Sequence, residues 1–273
     1  MPPIEADRWP GRHLVVPVLA ILAVAIVGAR SATPAGDPAG PAPETTDYPP
    51  VRQAMPDFAS ISDSQKRKSA FFHYLLPVVE RVNGHIRQRR HRLMQIARRF
   101  RNTGSLSSKD RKWLDNMADY YQVDADDTAN RIAALKPRID VWPPSLALAQ
   151  AAIESAWGTS RFARKGKNLF GEWCFQAGCG IVPAQRPSNR EYEVKSFPSV
   201  QASIRSYMHN LNTHAAYSDM RRMRQQERRA GRELDAARLA KALDRYSERG
   251  ETYVEDVRTI IRANDLPSLV DNG

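Results

Sequence analysis

The fold of this chain is decided by residues 151–160, AAIESAWGTS, together with residues 168–171, NLFG, which follow closely. Two prolines at 143–144 permit a helix to begin, and Gly158 ends it. Between them, apolar residues recur at positions i, i+3, i+7 and i+10, namely Leu146, Ala149, Ile153 and Ala156. The spacing predicts a short apolar helix with Glu154 in its last turn.

Glu154 is the candidate acid catalyst. In the last turn of a helix its carboxylate meets the negative end of the helix dipole, and its neighbours Ile153 and Trp157 are apolar. Both conditions disfavour the ionised form, so we expect the pKa of Glu154 to be raised, which suits a general acid at neutral pH. A solvated surface glutamate is the alternative, because glutamate is seldom buried.

The two motifs together resemble the core of bacterial endo-β-N-acetylglucosaminidase domains, which occur in flagellar muramidases and cell-wall autolysins. Residues 71–77, FFHYLLP, and 171–175, GEWCF, are similar to the bacterial Bax proteins. The resemblance extends over residues 57–266. It implies a mainly α fold, with a lysozyme-like helical catalytic domain, a small β-hairpin lobe and a preceding helical accessory region. The implied function is hydrolysis of the glycan strands of peptidoglycan, with cleavage after N-acetylglucosamine.

The resemblance also assigns roles to individual residues. In this family a second acidic residue comes from the β lobe that follows the helical glutamate in the chain. Glu191 is the best match to that residue in position. Glu193 is the runner-up, and because side chains alternate along a strand the two would share one face, so position alone does not choose between them. Tyr246 is expected to orient the site, although the chain lacks the aspartate–proline turn that the family usually has here. The expected substrate contacts are Trp157, Asn168, Phe170, Trp173, Tyr192 and Tyr253.

In the implied reaction Glu154 protonates the glycosidic oxygen through an oxocarbenium-like state, and Glu191 activates water or stabilises the charge. Carboxylates about 6.5–9.5 Å apart favour inversion and about 5–5.5 Å retention, while attack by the substrate's acetamido group would bypass the second carboxylate. Two other functions stay open. A lytic transglycosylase also uses one helical glutamate but no water nucleophile, and a noncatalytic adaptor would only bind the cell wall.

The chain is basic, with a formal net charge of +11 and a pI near 9.9, which indicates an anionic partner. Its arginines cluster in residues 81–101 and 221–232. Nucleic acid is the rival partner, but it is not expected, because the chain has a predicted export signal and no recognisable nucleic-acid reading motif. Peptidoglycan peptides and lipid headgroups are also anionic, and a merely solvated basic helix face explains the charge equally well.

Residues 1–30 are predicted to be a signal peptide or an N-terminal membrane anchor. Residues 14–27 are almost wholly apolar, but they fall short of the ~20 residues that span a membrane, and small residues follow them. Residues 31–56, rich in Pro and Ala, are typical of a disordered linker. The protein is therefore expected to be exported, and either soluble in the periplasm after cleavage or attached to the inner membrane through residues 14–27.

The remaining chain is expected to divide into the helical accessory region, residues 57–138, and the catalytic domain, residues 139–268. Apolar residues at three- or four-residue steps predict one long helix over residues 64–101. Alternation over residues 192–196 predicts a strand of a small hairpin. Further helices are predicted to begin at Ser107 or Ser108, at Asp126 or Asp127, after Pro198 and near Val254.

The chain has two cysteines, Cys174 and Cys179. Two thiolates cannot form a closed zinc site, and the scattered histidines match no metal-binding motif, so neither a metal nor an organic cofactor is expected. In an oxidising compartment the two cysteines are expected to form a small disulfide loop, with buried free thiols as the alternative.

Overall fold

The computed structural model describes residues 54–244, 247 and 249–272. The predicted signal or anchor at 1–30, nearly all of the predicted linker at 31–56, and Tyr246 lie outside the described residues. Within the described part of the chain, every helix is too short or too polar to cross a membrane.

The fold is mainly helical with a small β lobe, which confirms the fold class that the sequence predicts. The helices are α1 (Ser64–Thr103), α2 (Ser108–Tyr120), α3 (Thr128–Leu135), α4 (Pro144–Glu154), α5 (Arg161–Gly166), α6 (Val200–Thr213), α7 (Ser218–Arg229), α8 (Ala236–Leu239), α9 (Glu251–Ala263) and α10 (Leu266–Asp271). Short 3-10 turns lie at Phe58–Ser60, Ala215–Tyr217 and Ala240–Leu243.

The β lobe comprises β1 (Trp173–Cys174), β2 (Gly180–Ile181) and β3 (Glu193–Lys195). β3 lies between the other two strands and pairs antiparallel with both, so that Val194 faces Trp173 on one side and Ile181 on the other. The lobe is therefore a three-stranded sheet, and β3 is shorter than the predicted strand over residues 192–196.

Local signals set the ends of α1, α2 and α3 close to where the sequence predicts them, whereas α4 ends at Glu154, earlier than the predicted end at Gly158. Asp63 caps α1, because its Oδ1 accepts hydrogen bonds from the backbone amides of Gln65 and Lys66 at 2.8 and 2.9 Å. Gly104 ends the same helix in the left-handed conformation, at φ 68°. Ser107 and Asp127 cap α2 and α3 in the same way.

Two hydrophobic cores share α1. The first half of α1 packs with α4, α6 and α9 in the larger core. The second half of α1 packs with α2 and α3 in a smaller core, whose buried residues are Leu93, Ile96, Trp113, Leu114, Met117, Tyr121, Ile132, Leu135 and Ile139. Because one helix is continuous through both cores, the region that carries α2 and α3 is held firmly against the rest of the molecule.

Arg224 of α7 is a basic residue that the fold uses internally. Its side chain is 1% exposed, and its guanidinium lies 3.9 Å from the centre of the Trp142 ring. It donates hydrogen bonds to Pro137 O (2.7 Å), Asp140 O (2.9 Å), Val141 O (3.1 Å) and Asn212 Oδ1 (2.9 Å). Burial lowers the pKa of Arg224 to about 9, while the negative charge of Asp140 opposes that shift.

The carboxylate of Asp140 links further arginines to this cluster. Arg228 of α7 lies 3.1 Å from it and Arg90 of α1 lies 3.4 Å from it, while the Asp140 side chain is only 3% exposed. Part of the arginine clustering in residues 81–101 and 221–232 therefore joins α1 and α7 to the segment before α4, and does not face a partner.

We predict that Arg224→Ala lowers the free energy of unfolding by about 3 kcal/mol, because it removes one member of a buried ion cluster and leaves carbonyl groups unpaired. Arg222→Ala is the matched control on the same helix. Arg222 is exposed, so its replacement should lower the free energy of unfolding by about 0.5 kcal/mol or less. Urea denaturation measures both variants, and equal losses would contradict the structural role of Arg224.

Candidate active site

Glu154 is the last residue of α4, a helix that packs between α1 and α9. The residue is 7% exposed, so the surface-glutamate alternative is excluded by the structure. Burial raises the pKa of Glu154 from the ordinary 4.5 to about 8, although a hydrogen bond from Tyr253 and the charge of Arg249 act in the opposite direction. The carboxyl is therefore mainly protonated at neutral pH.

A row of buried hydrogen bonds holds this carboxyl. Tyr253 Oη of α9 donates to Glu154 Oε1 at 2.7 Å. Gln150 Nε2, one turn earlier in α4, donates to Tyr253 Oη at 3.0 Å, and Tyr207 Oη of α6 donates to Gln150 Oε1 at 2.5 Å. Each side chain in the row is oriented by its neighbour, so three helices together fix the position of one carboxyl group.

The second oxygen of the carboxyl, Glu154 Oε2, is buried and has no hydrogen-bond partner among the described residues. Since Tyr253 donates to Oε1, a proton on the carboxyl belongs on Oε2. The arrangement is that of a buried acid whose proton is not engaged by the surrounding side chains.

The turn after Glu154 is tightly specified. Ala156, Trp157 and Gly158 all have left-handed backbone conformations, with φ of 50°, 59° and 75°. The fully buried Ser155 closes the turn, because its Oγ donates to Ala151 O at 2.6 Å and accepts from the amide of Gly158 at 2.8 Å.

Glycine is required at position 158 for a second reason. A Cβ atom there would lie 2.5 Å from the ring of Phe58 and 3.2 Å from the ring of Phe71. Trp157 is half-buried in the same aromatic cluster, with its ring edge-on to Phe71 and Phe72 at 6.0 and 5.3 Å. The motif around Glu154 is thus a helix end and a turn packed against α1.

Asn168 and Phe170 occupy the second motif, and both are buried. The Asn168 amide donates to the carbonyls of Glu172 and Lys195 at 2.9 and 2.8 Å, and its Oδ1 accepts from the amides of Phe170 and Glu172. Phe170 stacks on Tyr207 with ring centres 3.8 Å apart. Both side chains are engaged inside the fold, and their role as substrate contacts stays a prediction.

Trp173 and Tyr192 lie in the β lobe and stack on each other, with ring centres 4.3 Å apart and an interplanar angle of 9°. Both rings are only half-buried. Tyr253, in contrast, is completely buried against Glu154, so its hydroxyl serves the carboxyl group. Of the expected substrate contacts, Trp157, Trp173 and Tyr192 keep accessible surface.

Cys174 and Cys179 are joined by a disulfide bond, with Cα atoms 6.2 Å apart. Glu193 braces the loop that this bond closes, because its two oxygens accept hydrogen bonds from the amides of Gly178 and Gly180 at 3.0 and 2.7 Å. Those hydrogen bonds hold the pKa of Glu193 below its ordinary value. The two sulfurs and this carboxylate lie within 4.8 Å of one another, but bonded sulfurs are not thiolate ligands for a metal.

The two glutamates that compete for the role of second carboxylate lie in different environments. Glu191 is exposed and precedes β3, whereas Glu193 is the first residue of that strand and is buried. The expectation that they share one face of a strand is wrong, because the strand begins only at Glu193.

Glu172 is a further carboxylate near the site, and the sequence analysis did not single it out. It is half-buried, and Ser206 Oγ of α6 donates to its Oε2 at 2.6 Å. Burial raises the pKa of Tyr217, and the negative charges of Glu172 and Glu154 raise it further. Tyr217 therefore lies within electrostatic reach of both carboxyl groups.

Gln150 and Tyr207 are the residues of the buried row that sequence reasoning missed. A signal for Gln150 was present, since it is the one amide side chain in the otherwise apolar LALAQAAI of α4, and a buried polar group requires a partner. Tyr207 has no such signal, because it falls at an ordinary core position of an amphipathic helix.

The chain is similar to known proteins over much of its length. Residues 129–266 match the glucosaminidase family model, described as mannosyl-glycoprotein endo-beta-N-acetylglucosaminidase. The chain is 33% identical over 202 residues to Protein bax of Escherichia coli (strain K12), an overlap that covers 73% of this chain and 70% of that protein. No solved structure matches the chain significantly.

The raised pKa of Glu154 predicts a specific pH dependence of stability. Between pH 4.5 and 8 the folded chain holds a proton that the unfolded chain releases, so this group's contribution to the free energy of unfolding falls as pH rises through that window. Glu154→Gln removes the effect, and its stability relative to the wild type should increase with pH by on the order of a few kcal/mol. Chemical denaturation at several pH values measures the difference, and parallel profiles would show that Glu154 titrates normally.

Proposed function

The chain belongs to the glucosaminidase family, and on that premise we propose that it is a peptidoglycan hydrolase of the endo-β-N-acetylglucosaminidase type. Family membership makes it a glycosidase with a glycan substrate. The finer assignment is cleavage of the glycosidic bond that follows N-acetylglucosamine. The observation that carries it is the buried carboxyl of Glu154, with a pKa near 8, one oxygen held by Tyr253 and the other without a partner among the described residues.

In the proposed reaction Glu154 donates the proton on Oε2 to the glycosidic oxygen as the bond breaks. The carboxylate that remains accepts the hydrogen bond from Tyr253, which stabilises the charge formed at that moment. Gln150 and Tyr207 keep Tyr253 in the orientation that this requires. Tyr246 is proposed to orient the substrate from the segment before α9.

Glu191 is proposed as the second carboxylate, which activates water or stabilises the oxocarbenium-like charge. Its exposure leaves it accessible to water and substrate, and its neighbour Tyr192 forms an aromatic pair with Trp173 on the same lobe. Glu193 is less suited, because both of its oxygens are engaged by backbone amides. The half-exposed rings of Trp157, Trp173 and Tyr192 are proposed to stack on sugar faces.

A glycan substrate of this kind lies outside the cytoplasm. We therefore propose that the protein is exported, with residues 1–30 as the signal or anchor and residues 31–56 as a tether to the folded part. Residues 57–138 are proposed as the accessory region and residues 139–268 as the catalytic domain. No cofactor is proposed, since protonation of the leaving oxygen and activation of water need only side-chain carboxyl groups.

The central experiment is digestion of purified peptidoglycan with product analysis by mass spectrometry. We predict new reducing ends at N-acetylglucosamine, and a loss of kcat/KM of about 10²–10⁴-fold in Glu154→Gln, because the amide cannot donate an acid proton. Glu233→Gln, an isosteric change at an exposed glutamate, is the control and should retain activity.

Other products would identify the competing functions. Ends of the 1,6-anhydromuramic type would indicate a lytic transglycosylase, which needs no water nucleophile. Binding to sacculi without soluble product would indicate an adaptor. An active Glu154→Gln variant would remove Glu154 from the role of acid.

The second carboxylate is tested by three amide variants. We predict that Glu191→Gln lowers kcat by about 10²-fold with an unchanged free energy of unfolding. Glu193→Gln should instead lower stability, because it weakens the hydrogen bonds to the amides of Gly178 and Gly180. Steady-state kinetics and urea denaturation on the same preparations separate the two effects. If Glu172→Gln loses kcat and Glu191→Gln does not, the role belongs to Glu172.

A further inference from the structure

A cavity lies on the far side of α6 from Glu154. Its volume is about 430 Å³, within the range of sites for small organic ligands. Its walls come from α1, the end of α2 and α6, so it lies where the region of α2 and α3 meets the rest of the fold. The side chains that carry the argument are His85, Arg89, Tyr120, Gln201, Arg205 and His209.

Among these residues, His209 has the most unusual environment. It is 7% exposed, and neither of its ring nitrogens has a hydrogen-bond partner among the described residues. Tyr120 packs against its ring with centres 4.4 Å apart, which fills the space beside the ring but satisfies neither nitrogen. A buried imidazole without partners costs free energy, so the side chain is better explained by a ligand that supplies them.

The charge of the cavity has one sign. Arg89 and Arg205 both line it, and its lining among the described residues includes no aspartate or glutamate. The side chain of Arg205 makes no hydrogen bond or ion pair within the described part of the chain. Arg89 is held over the Tyr120 ring at 5.1 Å. Two guanidinium groups that face one pocket without a counter-charge form a site for an anion.

The two histidines add hydrogen-bonding groups without adding charge. Burial and the nearby arginines lower the pKa of His85 and of His209 to about 4. At neutral pH both rings are therefore uncharged, and His209 offers one N–H donor and one acceptor nitrogen. The side-chain amide of Gln201 on the cavity wall is likewise a donor and an acceptor.

We propose that this cavity binds a short acidic peptide, with a carboxylate on Arg89 and Arg205 and peptide amide groups on His209 and Gln201. A peptide matches both the arginines and the hydrogen-bonding side chains of the cavity, because it combines carboxylates with amides that donate and accept hydrogen bonds. A simple anion would satisfy only the arginines. The identity of the ligand rests on the proposed function: we identify it as the acidic stem peptide of peptidoglycan, which is attached to the glycan strand.

His209 and Tyr207 lie two positions apart on α6, which places them about 200° apart around the helix. Tyr207 therefore joins the hydrogen-bond row that ends at Glu154, while His209 faces the cavity. One helix thus connects the proposed peptide site with the proposed catalytic acid.

The test is calorimetric titration of the full chain with the free stem tripeptide, Ala-γ-Glu-diaminopimelate. Arg205→Gln should weaken binding about tenfold or more, and Arg222→Gln, which removes the same charge at an exposed position on α7, should leave binding unchanged. His209→Phe keeps the ring volume and removes both nitrogens, so the chain should fold and bind about threefold to tenfold more weakly. Amidation of the tripeptide's carboxylates should abolish the difference between the wild type and Arg205→Gln.

Three results would overturn the proposal: no binding of the tripeptide to the wild type, equal weakening by Arg205→Gln and Arg222→Gln, or tight binding of inorganic phosphate without binding of the tripeptide. Cleavage assays keep this test separate from the hydrolase assignment. Arg205→Gln should raise KM for peptide-bearing strands and leave the cleavage of peptide-free glycan strands unchanged. Tripeptide binding that depends on Arg205, in a chain that cleaves neither substrate, would support the cavity and refute the hydrolase.

Discussion

Tyr253 and Glu154 are 99 residues apart in the sequence, and the hydrogen bond between them sets the chemistry of the site. It joins α9 to the end of α4, and it determines which carboxyl oxygen is held and which is left for a proton. The bond is buried: Gln150 donates a further hydrogen bond to Tyr253, and Tyr207 donates one to Gln150, while Glu154 Oε2 has no partner among the described residues. The packing of α4, α6 and α9 is therefore constrained by this polar row as well as by apolar contacts.

The backbone turn after Glu154 also helps to hold the carboxyl group in position. Three consecutive left-handed residues would be unfavourable in isolation, and they persist because the surrounding structure fixes them. Ser155 closes the turn from inside, and the rings of Phe58 and Phe71 occupy the space that a side chain at position 158 would need. The carboxyl group at the end of α4 is thus held both by its hydrogen bond and by a turn that has little freedom to move.

The basic composition has several separate causes. Arg228 pairs with the carboxylate of Asp140 and Arg224 donates to backbone carbonyls inside the fold, while Arg89 and Arg205 line a cavity without a counter-charge. A net charge alone does not distinguish these cases, because it counts arginines without regard to what they contact. The distinction depends on residues from distant parts of the chain, and it separates a structural cluster from a site that we assign to a ligand.

The sequence by itself determined the principal helices, α1 to α4, α6 and α9, and the position of Glu154 in the last turn of α4. Apolar spacing, the caps at Asp63, Ser107 and Asp127 and the glycine at 158 are local signals, and they act within a few residues. Tertiary structure alone decided that Glu154 is buried, that Phe170 and Asn168 support the site from within, and that Glu191 and Glu193 lie in different environments. Burial and hydrogen bonding arise from contacts between segments as much as 103 residues apart, such as Gln150 and Tyr253, and periodicity carries no information about which segments meet.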